Sequence, residues 1–198
     1  NHPVLTLSSD ETGKPIFVWK LLENIEEEDF GQKCMRPMAI FPTLHECNEK
    51  GCWYYTRNLL PTISEKDPTV TAMLAARYEV DGITANTSAL STFLPELSKL
   101  YDLTHIKKVT IVDMHFDTPL IERTFPESEK KYVLEHPVTG GFGAHCPKML
   151  KKGSLVFHPY GDSVVESVEN ELIATKLKFF PTPIIRFTTG IRGFVWDK

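Results

Sequence analysis

One succession of segments constrains this chain more than anything else in it: "DPTVTAMLAARYEV", "GITAN", "TSALSTFLPELSKLY", "KKVTIVDM", "TPLIERTFPE" and "KYVLEHPV". Asp67 reads as an N-cap, with Pro68 at the first helical position, where the proline's missing N–H has no helical partner to lose. Val70, Met73, Leu74 and Arg77-Tyr78 then recur at helical spacing, which predicts a helix over 67–80. Residues 82–86 follow as a strand. Thr87 to Tyr101 reads as a second amphipathic helix, with a kink or break expected at Pro95 because proline removes an interior hydrogen bond. Lys107 to Met114 has the β-branched density of a buried strand. A short helix from Thr118 and a strand over Lys131–Val138 complete the series. Strands alternating with helices imply right-handed crossovers onto a parallel sheet.

Upstream, "PMAIFPTL" (Pro37–Leu44) is an apolar run broken by prolines, as at a buried strand end and its loop. After about residue 150 the pattern changes to short alternating strands in "GSLVFHPY", "SVVESVENELIATKL" and "PIIRFTT", which read as hairpins. The expected fold is therefore α/β: a central, mostly parallel sheet flanked by helices, with a small C-terminal β-hairpin region. Residues 1–150 would form the α/β core and 151–198 a β-rich extension, or the two would make one continuous domain.

With 198 residues, 41% hydrophobic and 11% aromatic, the chain can bury a core of its own. A net charge of −4 argues against a nucleic-acid surface, which needs clustered Lys and Arg. The acidic run from Glu23 to Asp29 reads as a solvated helix start. No apolar run reaches the length of a bilayer span, and no signal-peptide pattern opens the sequence. Cys34, Cys47, Cys52 and Cys146 are irregularly spaced and read as reduced thiols, so a cytoplasmic protein is expected.

The stretch "TLSSDETGKPIFV" (Thr6–Val18) is where chemistry first suggests itself. Small hydroxyl residues run into Gly13-Lys14-Pro15 between two apolar segments, the pattern of a strand, a phosphate-cradling turn and a second strand. Asp10 and Glu11 place two negative charges in its middle. Lys14 reads either as a phosphate contact or as a solvated turn residue. His45 with Cys47 and Cys52, or His145 with Cys146, match no paired zinc spacing, and no metal is expected. A Cys146 nucleophile would need His145 or His136 as base, but neighbours in an extended segment point to opposite faces, so Cys146 reads as a buried free thiol. "GGFGAHCP" (Gly141–Pro147) lacks the helix start of a dinucleotide fingerprint and reads as a flexible loop. "CWYY" (Cys52–Tyr55) reads as core or interface packing.

Four segments in order resemble the adenylate-forming superfamily, and within it the phenylacetate–CoA-ligase-like branch. "SSDETGKPI" (Ser8–Ile16) is similar to that family's phosphate loop T-S-G-T-T-G-K-P-K. "VDGITANTSALSTFLPEL" resembles its strand-then-helix with a small polar turn. "KYVLEHPVTGGFGAHCP" lies where the family has its adenine-side Y-G-x-T-E. "NELIATKL…PTPIIRFTTGIRG" is similar to G-E-L-V-V-T…P-L-I-R-Y-R-T-G-D-x-G, in both halves and in their separation. The resemblance spans nearly the whole chain, but only the middle of the family's large domain. It implies the core fold of that domain and the activation of a carboxylic acid by ATP with magnesium, through an acyl-adenylate, for transfer to coenzyme A. It implies nucleotide contacts at Ser8, Ser9, Thr12, Gly13, Lys14, Thr139, Thr189 and Gly190.

Departures from the family pattern fall on its charged positions. Asp10, Glu11 and Ile16 replace a glycine, a threonine and the second lysine of the phosphate loop. Gly140 stands where the family has the glutamate that helps hold magnesium, and His136-Pro137 replace its aromatic–glycine pair. Ile191 occupies the position of the aspartate that accepts the ribose hydroxyls. No residue is expected to be catalytic and no cofactor to be held. The expected role is a binding, regulatory or assembly component, working with a protein partner that supplies the family's N- and C-terminal regions, or with a small carboxylic acid or acyl group. The alternative is one part of a working acid–CoA ligase, completed by another segment or subunit.

Overall fold

The computed structural model describes residues 3–9, 15–21, 36–41, 60–63, 68–136, 138–146, 155–177 and 183–195, with the backbone alone for 3–9, 15–21, 37, 41 and 60–63. In chain order the elements are β1 (Pro3–Ser9), β2 (Pro15–Leu21), β3 (Pro37–Phe41), β4 (Leu60–Ile63), α1 (Pro68–Arg77), β5 (Gly82–Ala85), α2 (Thr87–Leu100), β6 (Lys108–Asp113), α3 (Thr118–Thr124) and β7 (Glu129–His136). β8 (Gly140–His145), β9 (Phe157–Pro159), β10 (Ser163–Val168), β11 (Glu171–Lys176) and β12 (Phe187–Arg192) follow. The strands β4-β3-β5-β6-β7-β8-β9 form one sheet, β10-β11-β12 a second, and β1-β2 a hairpin. From β4 to β7 all pairings are parallel; β7–β8 and β8–β9 are antiparallel. This is the expected α/β architecture with its mostly parallel central sheet.

The parallel half is assembled by apolar rungs. Met38, Ile83 and Val109 pair across three strands, and Ile40, Ala85, Ile111 and Tyr132 across four. These side chains share one face and one core cluster with Ala72 and Ala75 of α1 and with Leu90, Phe93 and Leu97 of α2. Burying a side chain the size of Phe93 stabilises the fold by about 1.5–3 kcal/mol relative to exposure.

α1 packs by a different face from the one its large apolar residues mark. Thr71, Ala72 and Ala75 are buried, while Val70 and Met73 are 47% and 57% exposed. Small residues let the helix approach its neighbours closely, so the bulky stripe turns outward. α1 begins at Pro68, and its expected cap, Asp67, lies outside the described residues. It ends where Glu79 takes a left-handed φ of 48°, with Glu79 N–H donating to Ala76 O at 3.1 Å and Val80 N–H to Ala75 O at 3.0 Å. That pair of bonds closes the last turn as a Schellman motif.

α2 starts from Asn86, whose Oδ1 accepts from Ala89 N at 2.7 Å. Pro95 does not break it: the helix runs on to Leu100. Pro95 lies on the exposed side, where water can serve the carbonyl that loses its partner.

Gly141–Pro147 was expected to be a flexible loop, and the described part is instead a buried strand. β8 lies between β7 and β9, with Gly143 opposite Pro159. A Cβ on Gly143 would come within 3.2 Å of the His158 carbonyl oxygen, so the glycine permits close backbone approach. Phe157–Pro159 joins the large sheet, and the C-terminal hairpins proper begin at Ser163. β10 and β11 are joined by Glu169 and Asn170 at φ 50° and 67°, the two left-handed residues of a type I′ turn.

Candidate functional site

The sequence-predicted contacts fall into two groups in the structure. Ser8 and Ser9 end β1, paired with Ile16 and Pro15 of β2, so the strand–turn–strand reading holds for the backbone on both sides. Thr12, Gly13 and Lys14, with Asp10 and Glu11, lie outside the described residues. So do Glu23–Asp29, Cys34, His45, Cys47 and Cys52–Tyr55.

Thr139, Thr189 and Gly190 form the second group, on adjoining elements. The connection from β7 to β8 carries Thr139, and the start of β12 lies against it: the rings of His136 and Phe187 are 4.9 Å apart. Beneath that contact Leu134, Phe142, Leu172 and Ile191 form one apolar cluster.

Each polar group here is committed internally. Thr139 is 1% exposed and its hydroxyl donates to Gly140 O at 3.1 Å. His136 Nδ1 accepts from Val138 N at 3.1 Å. Thr189, also 1% exposed, donates to Leu172 O at 2.8 Å and accepts from Ile191 N at 3.2 Å. Gly190 adopts φ 72°, a conformation that glycine takes without strain, and its N–H donates to Glu171 Oε1 at 2.8 Å. These bonds stitch the irregular register between β11 and β12 around Leu172. Ile191 is 7% exposed and faces the apolar cluster.

Sequence reasoning passed over two residues of this region and weighed a third only as a zinc ligand or as a base for Cys146. Lys176, with a side chain only 4% exposed, reaches from β11 to Gly141 O at 2.6 Å, to Asp162 Oδ2 at 3.2 Å and to Ser163 Oγ at 2.9 Å. It ties the small sheet to the first turn of β8. Asp113, at the carboxyl end of β6, accepts from Thr87 N at 2.8 Å and Met114 N at 2.7 Å. The carboxyl ends of parallel strands are where α/β sheets bind ligands, yet here Asp113 and Asn86 together serve the N-terminus of α2. His145 is the third. It is buried, and its Nδ1 accepts the Tyr132 backbone N–H at 2.9 Å. Burial holds its imidazole below the ordinary histidine range, and the Lys131 charge acts in the same direction.

Tyr132 is likewise pushed above the usual tyrosine range, first by burial and then by the Glu122 carboxylate that accepts from its hydroxyl at 3.4 Å. Cys146 is a free thiol, half-buried rather than buried as expected. Among the described residues no His, Cys, Asp or Glu side chains gather in a group of three or more that could hold a metal ion, and no helix is long and apolar enough to cross a membrane.

No family model matches the sequence, and no curated protein matches it. Solved structures do match the fold. An open conformation of 2-hydroxyisobutyryl-CoA ligase in complex with 2-HIB-AMP and CoA aligns with a TM-score of 0.64 at 9% identity, over 94% of this chain and 51% of that one. A long-chain-fatty-acid–CoA ligase from Archaeoglobus fulgidus aligns with a TM-score of 0.59 at 14% identity, over 92% and 43%. The luciferase-like enzyme of the nonluminescent mealworm Zophobas morio aligns with a TM-score of 0.61 at 14% identity, over 91% and 49%. The chain thus has a fold that these ligases and the luciferase-like enzyme carry over about half of their length.

Proposed function

We propose that the chain is a catalytically degenerate relative of the carboxylate-activating ligases, of the phenylacetate–CoA-ligase-like branch, serving as a cytoplasmic binding, regulatory or assembly component. The observation that carries this reading is Ile191. At the position where the resemblance calls for a ribose-binding aspartate, a side chain without a hydrogen-bonding atom is packed with Leu134, Phe142 and Leu172. Hydrogen bonds to a charged acceptor are worth about 1.5–3 kcal/mol each, and isoleucine offers none.

Gly140 brings no carboxylate to the magnesium position, and the Thr139 and Thr189 hydroxyls are engaged within the chain. The residues present here do not fit a magnesium–nucleotide. The test is calorimetric titration with Mg–ATP, AMP and a non-hydrolysable acyl-adenylate, together with pyrophosphate exchange across a panel of carboxylic acids. The proposal expects no nucleotide binding and no exchange. Micromolar adenylate affinity or turnover overturns it. Thermal stabilisation by a carboxylic acid or acyl-CoA alone would identify a carrier within the same reading.

One observation favours a second reading: the chain spans about half the length of the ligases it resembles. As one part of a split or longer ligase, it would gain exchange activity on mixing with a polypeptide that carries the remaining regions. Activity restored in that way would replace the first reading.

A further inference from the structure

We propose that His145 is an acid-sensitive pin, whose neutral ring holds the β8–β9 edge onto β7 and whose protonation releases it. The ladder between these strands runs through Val133 opposite Ala144. At the next position the Tyr132 N–H is met by the imidazole Nδ1 of His145 at 2.9 Å, where a backbone carbonyl would ordinarily accept. Accepting at Nδ1 requires a lone pair there, which places the proton of the neutral ring on Nε2. An imidazolium has two donors and no acceptor. Protonation therefore turns this contact into two N–H groups facing each other in a buried site, and the bond must break.

Burial is what most disfavours charge on this ring; the hydrogen bond with the Tyr132 backbone acts the other way but does not reverse the net shift. His145 is 7% exposed, and its ring meets Tyr132 edge-on at 5.1 Å between centroids. From β9, Phe157 lies opposite it in register and brings no charge. From β7, Lys131 repels a second positive charge. From α3, Glu122 attracts one, but that carboxylate already faces Lys130 Nζ at 3.3 Å and the Tyr132 hydroxyl. From the small sheet, the Lys176 and Asp162 charges pair with each other, at the opposite end of β8. Glu166 of β10 pairs with Arg186. His158, the one titratable residue of β9, lies opposite Ala144, one position along from His145.

The sign follows from the shift. A histidine held below its ordinary value of about 6.5 binds its proton more readily in the unfolded or opened state. The contribution of the pin is complete above that value and declines as pH falls through it, by at most about tenfold in the opening equilibrium per pH unit. The strand that loosens is the one whose Gly141 carbonyl is gripped by Lys176. Acid therefore frees one end of β8 while the other stays clamped.

Amide hydrogen exchange on the whole chain, corrected for intrinsic rates and followed from above the ordinary imidazole range to below it, tests this. The Tyr132 amide and the β8–β9 amides should lose protection together as pH falls, while those of α2, β5 and β6 keep theirs. His145→Asn supplies a carbonyl Oδ1 close to the position of Nδ1 and cannot titrate, so its exchange should be flat over the same range. Equal pH dependence in H145N, or a flat profile in the parent chain, overturns the proposal. If H145N does not fold, the His145 ring resonances of the parent chain decide. A depressed midpoint shared with the Tyr132 amide supports the pin, and a midpoint at or above the ordinary value refutes it.

Discussion

The helix-covered, parallel half of the large sheet and the C-terminal corner around β8–β12 are held together by different means. In the first, Met38, Ile83, Val109 and Ile111 meet Phe93 and Leu97 in a continuous apolar core. In the second the apolar cluster is small, built on Leu134, Phe142, Leu172 and Ile191. Around it stand directed polar contacts: Lys176 to Gly141 O and Asp162, Thr189 to Leu172 O, and His145 to Tyr132 N. Apolar burial is additive and tolerant of volume-conserving exchange. Buried polar contacts are specific, and losing one partner strands the other.

Changes at four places would break or sharpen this contrast. Phe93→Ala, in the middle of the apolar half, should cost about 3–5 kcal/mol in chemical denaturation, and Phe93→Leu much less. Lys176→Met should cost about 2–3 kcal/mol, below the cost for a fully buried pair because the Asp162 side chain is 19% exposed. Exchange protection should fall in β8 and β10 and hold in α2; a uniform fall would show that the two regions unfold as one. Thr189→Val keeps the shape but removes a donor to Leu172 O and an acceptor for Ile191 N, at about 1–3 kcal/mol. An unchanged denaturation midpoint would show that the corner is held by its apolar cluster alone. Smallest and opposite in sign, Glu169→Asn with Asn170→Gly places the residues preferred by a type I′ turn at two left-handed positions. It should raise the melting temperature by a few degrees, worth about 0.5–1 kcal/mol.

The two regions also differ in how far they could be read from sequence. The succession of strands and helices was legible because each element carries its own period, and because Pro68 marks the first position of α1. The buried face of α1 was not, because close packing selected Ala72 and Ala75 over the larger Val70 and Met73. β8 read as a loop because glycines carry no side-chain pattern, and the reason for Gly143 is a carbonyl on another strand. Thr139, Thr189 and Gly190 were singled out, and the structure brings them to one corner. The partners that occupy them, Gly140 O, Leu172 O and Glu171, are set by register and turn geometry that no spacing encodes. The roles of Lys176 and His145 were hidden for the same reason: a lysine in a strand and a histidine beside a cysteine acquire roles only from the strands laid against them.

The reversal of chain direction between β7 and β8 carries a kinetic consequence. Strands β7 to β9 and β10 to β12 meet their sequence neighbours, so their first rungs close after short excursions of the chain. Met38 must find Ile83 across β4 and α1, a far costlier loop to close. The corner can therefore organise before the large sheet is complete, and damage there should slow folding, whereas damage beneath α1 and α2 should chiefly hasten unfolding.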